Sequence, residues 1–233
     1  MNADLEQQVI DYTTVQFPSL PQLDEIVRDE YFGPHPESNK VLPGIYAGAF
    51  PGVAEHKATN DKNLIDILNT GITTFVCLQQ EYPVTNRTVF HFGNKVNPYF
   101  NDVLKFLAVE GRHSKLTTDT VEASFVHFPI RDMSTTEDYK IIKLCKDLVR
   151  RYYRGEVLYI HCWGGHGRTG VVVCVMLHLM YGLTGDEVLE RCEFVHRIRK
   201  NGSFGVSSPQ TLEQKIQVSR IVKKLCCNKS IHL

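Results

Sequence analysis

The sequence predicts an α/β fold, a central mixed sheet flanked by helices, on three observations. Short β-branched or apolar runs alternate with helical patterns along most of the chain. Residues 171–180 are apolar nearly all round, as a helix packed on every side requires. Between them and the apolar run at 157–160 stands a glycine-rich turn, so a loop joins a buried strand directly to the central helix.

Residues 1–40 carry acidic clusters and prolines at 18, 21, 34 and 36, which predicts an acidic N-terminal arm with a short helix over 23–31. Residues 41–233 form the globular unit. A strand is expected at 44–47, a helix at 61–68 and a β-branched strand at 73–78. Residues 81–120 are mixed in character, with a helix over 101–109, and predict an irregular, surface-exposed excursion. Residues 123–128 read as a strand ended by Pro129, and 137–153 as a helix with Ile141, Cys145, Leu148, Val149 and Tyr152 on one face. Thr184 and Glu187 form a capping box for a helix reaching Arg199, which Asn201-Gly202 stops. Ser208-Pro209 opens a last helix to about residue 226.

The 233 residues are 42% hydrophobic, enough for a substantial core. Lysines and arginines balance aspartates and glutamates at 26 each, so overall charge argues for neither nucleic acid nor a membrane surface. The charge is uneven, with an acidic start and a basic C-terminal third that includes Arg197, Arg199, Lys200, Lys215, Arg220, Lys223 and Lys224. Seven cysteines without metal-ligand spacing, and no apolar leader, predict a reducing intracellular setting, the cytoplasm or else the nucleus. No apolar run approaches the roughly twenty residues of a membrane span. Oligomeric state is not legible.

The chemistry concentrates in His161-Cys162-Trp163-Gly164-Gly165-His166-Gly167-Arg168-Thr169. A cysteine and an arginine six positions apart are a weak signal alone, and Cys145 and Arg151 match that spacing inside a glycine-free helical pattern. The glycines make the difference. Successive backbone N–H groups curling into a helix N-terminus ring the oxygens of a phosphate monoester, and Gly164, Gly165 and Gly167 admit the required backbone angles and close approach. Arg168 adds a bidentate fork. The same donors favour a thiolate, so Cys162 is expected to be an ionised nucleophile. The Thr169 hydroxyl is placed to hydrogen-bond the Cys162 sulfur and help it depart. Trp163 and His166 occupy the mouth, and His161 supports the loop by hydrogen bonding.

This run resembles the signature H-C-x-x-G-x-G-R-[ST] of the cysteine-dependent protein tyrosine phosphatase superfamily, with every fixed position present. The resemblance covers roughly residues 41–226 and makes 41–233 a phosphatase domain. It implies a general-acid aspartate after a strand and a proline, and Phe128-Pro129-Ile130-Arg131-Asp132 supplies Asp132, with Glu137 and Asp138 as rivals. It also implies a late Q-T-x-x-Q segment that holds the hydrolytic water, which Gln210-Thr211-Leu212-Glu213-Gln214 matches. No metal or organic cofactor is implied.

The K-N-R-Y element of larger tyrosine-specific members is not found, so the compact, dual-specificity-like branch fits better. The resemblance thus implies a phosphorylated protein as substrate: phosphotyrosine, extending to phosphoserine and phosphothreonine. Two alternatives stay open. The basic C-terminal third points to a phosphoinositide or inositol phosphate phosphatase, although the loop holds Trp163 and His166 where lipid-acting members often place lysines. A phosphopeptide-binding scaffold with a lapsed active site is the reading from outside the enzymes.

Overall fold

The structure is a computed structural model that describes residues 16–52, 57–83, 89–91, 94–96, 98–109, 123–202 and 205–229. Strands β1 (Ser38–Leu42) and β2 (Ile45–Gly48) form an antiparallel pair, followed by helix α1 (Lys57–Asn69) and strand β3 (Thr74–Gln79). A hairpin of β4 (Val89–His91) and β5 (Asn94–Val96) leads to α2 (Phe100–Val109). Then come β6 (Ser124–Ile130), α3 (Asp138–Tyr153), β7 (Leu158–His161), α4 (Gly167–Tyr181), α5 (Gly185–Arg197) and α6 (Leu212–Lys229). The main sheet runs β1-β2-β7-β3-β6, with β2, β7, β3 and β6 parallel.

Period-two alternation sorts the strand side chains onto two buried faces. Val76, Leu78, Leu158 and Ile160 face α3, α4, α5 and α6, whereas Phe75, Cys77 and Tyr159 face α1, α2 and an aromatic cluster. Every residue of α4 from Gly167 to His178 is buried, as its all-round apolar pattern predicts. The Thr184–Glu187 capping box forms, and α5 follows it.

Several expectations need correction. The helix expected over 23–31 is instead two short 3-10 turns, Leu23–Glu25 and Arg28–Tyr31, separated by extended backbone at the β-branched pair Ile26 and Val27. The arm does not stop at residue 40 in packing terms. Strand β1 starts at Ser38, and buried His35 donates from Nε2 to the Tyr159 hydroxyl in the core. Residues 1–15 lie outside the described residues. Strand β6 continues through Pro129 to Ile130, because it is the sheet's edge and its pairing with β3 shifts register there, where a missing N–H is tolerated. The excursion is not simply exposed: Tyr82, Val96, Tyr99 and Val103 are buried in the aromatic cluster, while 110–122 lies outside the described residues.

Candidate active site

The parallel strands β2, β7, β3 and β6 all end at one edge of the sheet, where open α/β sheets place their sites. Ala49 follows β2, Cys162 follows β7, Glu81 follows β3 and Asp132 follows β6. A cavity of about 490 Å³ opens there, lined by Cys162, Trp163, Gly164, His166, Gly167 and Arg168, and walled by Asp132, Met133, Gln210 and Gln214 on one side and Glu37, Ala49 and Arg199 on the other.

The loop's peptide orientation follows from what holds its carbonyls. Trp163 O accepts from Phe50 N at 2.8 Å, Gly164 O and Gly165 O accept from the two terminal nitrogens of Arg199 at 2.9 and 2.8 Å, and His166 O accepts from the Ser208 hydroxyl at 2.8 Å. Four successive carbonyls are therefore tied away from the cavity. A trans peptide sets its N–H antiparallel to its C=O, so the N–H groups of residues 164–167 point the opposite way from these tethers. The helix α4 dipole adds to them.

The glycines serve different needs. Only Gly165 has a positive φ, 69°, and a Cβ there would lie 2.2 Å from the Gly48 backbone. Gly164 and Gly167 serve close approach instead: a Cβ at Gly164 would meet the His166 ring at 2.4 Å, and one at Gly167 would meet Gln214 Oε1 at 2.6 Å.

Cys162 is buried at the cavity floor. His161 stands behind it, its Nδ1 3.3 Å from the Cys162 carbonyl and its Nε2 2.7 Å from the Tyr99 hydroxyl. A carbonyl only accepts, so Nδ1 carries the proton and Nε2 accepts from Tyr99. Burial pushes His161 down to about 3, which keeps it neutral. The decoy Cys145 is buried in the core, and desolvation raises its thiol pKa.

Arg168 is 2% exposed and almost fully engaged. Nη1 donates to Glu81 Oε2 at 2.8 Å and to Ile130 O at 3.0 Å, while Nη2 donates to Glu81 Oε1 at 2.8 Å and pairs with Asp132 Oδ1 at 2.7 Å. Burial works against the cation, but Cys162 and the two carboxylates outweigh it and raise its pKa. The fork assigned to phosphate is thus shared with Asp132 in this arrangement. Asp132 lines the cavity, whereas its rivals are spent elsewhere: Glu137 pairs with Lys140 and Asp138 with Arg220.

Thr169 departs from expectation. Its hydroxyl is buried and, among the described residues, bonds neither the Cys162 sulfur nor any other group. His166 Nδ1 lies 2.7 Å from His196 Nε2, and burial, reinforced by nearby Arg199, lowers its pKa to about 4. It is therefore neutral near pH 6, unlike a free histidine. Trp163 stacks on Phe50 at 6.0 Å. Gln214 is committed rather than free to hold water: Oε1 accepts from the N–H groups of Gln210 and Thr211, and Nε2 donates to Ser134 O at 3.1 Å. It ties the Asp132 loop to the start of α6, while Gln210 lines the cavity.

Sequence reasoning missed Glu81, Tyr99, Glu37 and Arg199. By sequence Arg199 belongs with the surface cations; it is in fact 1% exposed, with Nε on Asn39 Oδ1 at 2.9 Å, and burial lowers its pKa to about 10, still cationic at neutral pH. The position after α5, at the stop signal Asn201-Gly202, was the only available hint.

Comparison with known proteins bears on the fold and the family. The chain is 24% identical to laforin of Mus musculus over 147 residues, 62% of this chain and 39% of laforin, and 28% identical over 82 residues to protein 067L of Invertebrate iridescent virus 3, 34% of either chain. It thus spans well under half the length of these relatives. Its fold is that of Tk-PTP in the active form (TM-score 0.55, 17% identity, 81% of this chain and 98% of that one) and of human DUSP28 (0.50, 12%, 81% and 97%). Residues 46–228 match the model described as Swiss Army Knife protein, DSP-PTPase phosphatase domain, and the chain belongs to this dual-specificity-like family of cysteine phosphatases.

Proposed function

We propose that the chain hydrolyses phosphotyrosine, and with it phosphoserine and phosphothreonine, in protein substrates through a phosphocysteine intermediate. The observation that carries the reading is the outward tethering of carbonyls 163–166 around Cys162, which leaves four amides for one dianion. The Cys162 sulfur forms a bond to phosphorus as the ester P–O bond breaks, and Asp132 delivers its proton to the departing oxygen. Water held by Gln210 then attacks phosphorus, Asp132 takes its proton, and the P–S bond breaks to return the thiolate. Arg168 steadies the equatorial oxygens, exchanging its contact with Asp132 for the phosphate. Thr169 assists sulfur departure once its hydroxyl turns toward it.

The phosphoinositide alternative loses its motive. Arg197 pairs with Glu193, Arg220 with Asp138, and Arg199 lies under the loop, so the basic C-terminal third does not present a lysine or arginine cluster to the cavity. All seven cysteines are unpaired, which suits the cytoplasm or nucleus, and among the described residues no helix is long and apolar enough to cross a membrane. Vanadate-sensitive turnover of p-nitrophenyl phosphate, abolished by Cys162→Ser, tests the proposal; turnover that survives this substitution contradicts it.

A further inference from the structure

Strand order places two carboxylates on opposite flanks of Cys162. Asp132 follows β6, two strands from β7 on one side, and Glu37 immediately precedes β1, two strands away on the other. Because β1 is antiparallel and Ser38 pairs with Gly48, the start of β1 lies at the same sheet edge as the ends of the parallel strands. At the usual strand spacing each flank is on the order of 10 Å from the nucleophile's strand.

Glu37 lines the catalytic cavity, yet nothing in the reaction uses it. Its backbone is pinned, N–H on His35 Nδ1 at 3.3 Å and carbonyl on Ala49 N at 3.2 Å, which fixes where the side chain starts. Among the described residues its carboxylate has no hydrogen-bond or ion-pair partner. The nearest cation, Arg199, is buried and aims its nitrogens at Asn39 and the Gly164 and Gly165 carbonyls. The remaining lining on that flank is uncharged: Ala49, Trp163, Gly202 and the neutral His166. Glu37 and Arg199 attract each other electrostatically, but the guanidinium's hydrogen bonds go to other groups, so the half-buried carboxylate keeps its acceptors for a substrate, where it works against a second phosphate and in favour of a cation.

Resting on the phosphatase reading above, we infer that Glu37 is a specificity residue, whose carboxylate selects phosphoproteins carrying lysine or arginine close to the phosphorylated residue. With the phosphate on the loop, a basic side chain one to three residues from the phosphorylated residue is long enough to span the order of 10 Å to Glu37.

The test compares two phosphotyrosine peptides of equal length, one flanked by lysines and one by glutamates. The wild-type protein is expected to favour the basic peptide by about two- to fivefold in kcat/KM at low salt, and the ratio to fall toward one at about 0.5 M NaCl. Glu37→Gln should bring the low-salt ratio close to one, and Glu37→Lys should reverse it. A wild-type ratio near one, a ratio insensitive to salt, or one that persists in Glu37→Gln overturns the inference. Turnover of p-nitrophenyl phosphate by the wild-type protein is read alongside: its absence sinks the phosphatase reading, whereas a flat ratio with that turnover intact sinks only the role of Glu37.

Discussion

Arg199 donates to the carbonyl of Gly165 at 2.8 Å across 34 residues of chain, from a position almost wholly shielded from water. Among the described residues no carboxylate hydrogen-bonds or ion-pairs with it; its bonds go to Asn39 and to two carbonyls of the phosphate loop. The guanidinium therefore braces the loop through its carbonyls. Arg199→Met leaves the carbonyls of Gly164 and Gly165 without these donors, and a hydrogen bond from a charged group is worth about 1.5–3 kcal/mol. Vanadate affinity and kcat/KM should each fall by about 10–100-fold, measured on protein whose circular dichroism shows it folded.

Glu81 grips Arg168 with both oxygens at 2.8 Å, so it fixes the plane of the guanidinium. Glu81→Gln removes the charge and one acceptor from a buried pair. We expect KM for an aryl phosphate to rise about tenfold, with kcat changed less, in steady-state kinetics.

Asp132 pairs with Arg168, and on the proposed mechanism it both competes with phosphate for that cation and supplies the leaving-group proton. Asp132→Ala should lower kcat by about 10²–10⁴-fold for a phosphotyrosine peptide, whose leaving group needs the proton, and far less for p-nitrophenyl phosphate. Tungstate should bind the variant a fewfold more tightly by calorimetry, since a rival carboxylate has gone. Weaker tungstate binding contradicts the competition.

His35 and His161 are buried, and desolvation, their largest influence, pushes them down to about 4 and about 3. The unfolded chain protonates the same residues near pH 6.5. Their folded-state values lie below the unfolded one, so the stability they confer is complete above about pH 6.5 and is lost as pH falls toward 4. Each contributes a slope of up to about 1.4 kcal/mol per pH unit in that window. Urea denaturation should show a lower midpoint at pH 5 than at pH 7; equal midpoints contradict it.

The elements most legible in the sequence were those with a strong local cause. An unbroken apolar run marks α4, a capping box marks the start of α5, and β-branched residues mark β3. The loop from His161 to Thr169 was legible because glycine spacing and a helix start coincide in a single stretch. Glu81, Tyr99, Glu37 and Arg199 were not, because each reaches the site through tertiary packing rather than through neighbours in the chain. Arg199 looks like any cation on a basic helix until β1 brings Asn39 beside it. Gln214 illustrates the converse: its motif was readable, but only the fold shows its carboxamide spent on the N–H groups of Gln210 and Thr211 and the carbonyl of Ser134.

Rapid acid quench of the protein with an aryl phosphate, followed by mass spectrometry of its peptides, tests the central claim most directly. One phosphoryl group is expected on the peptide bearing Cys162, attached at sulfur and missing when Cys162 is replaced by serine. A phosphoryl group on any other residue, or turnover at the wild-type rate by Cys162→Ser, contradicts it.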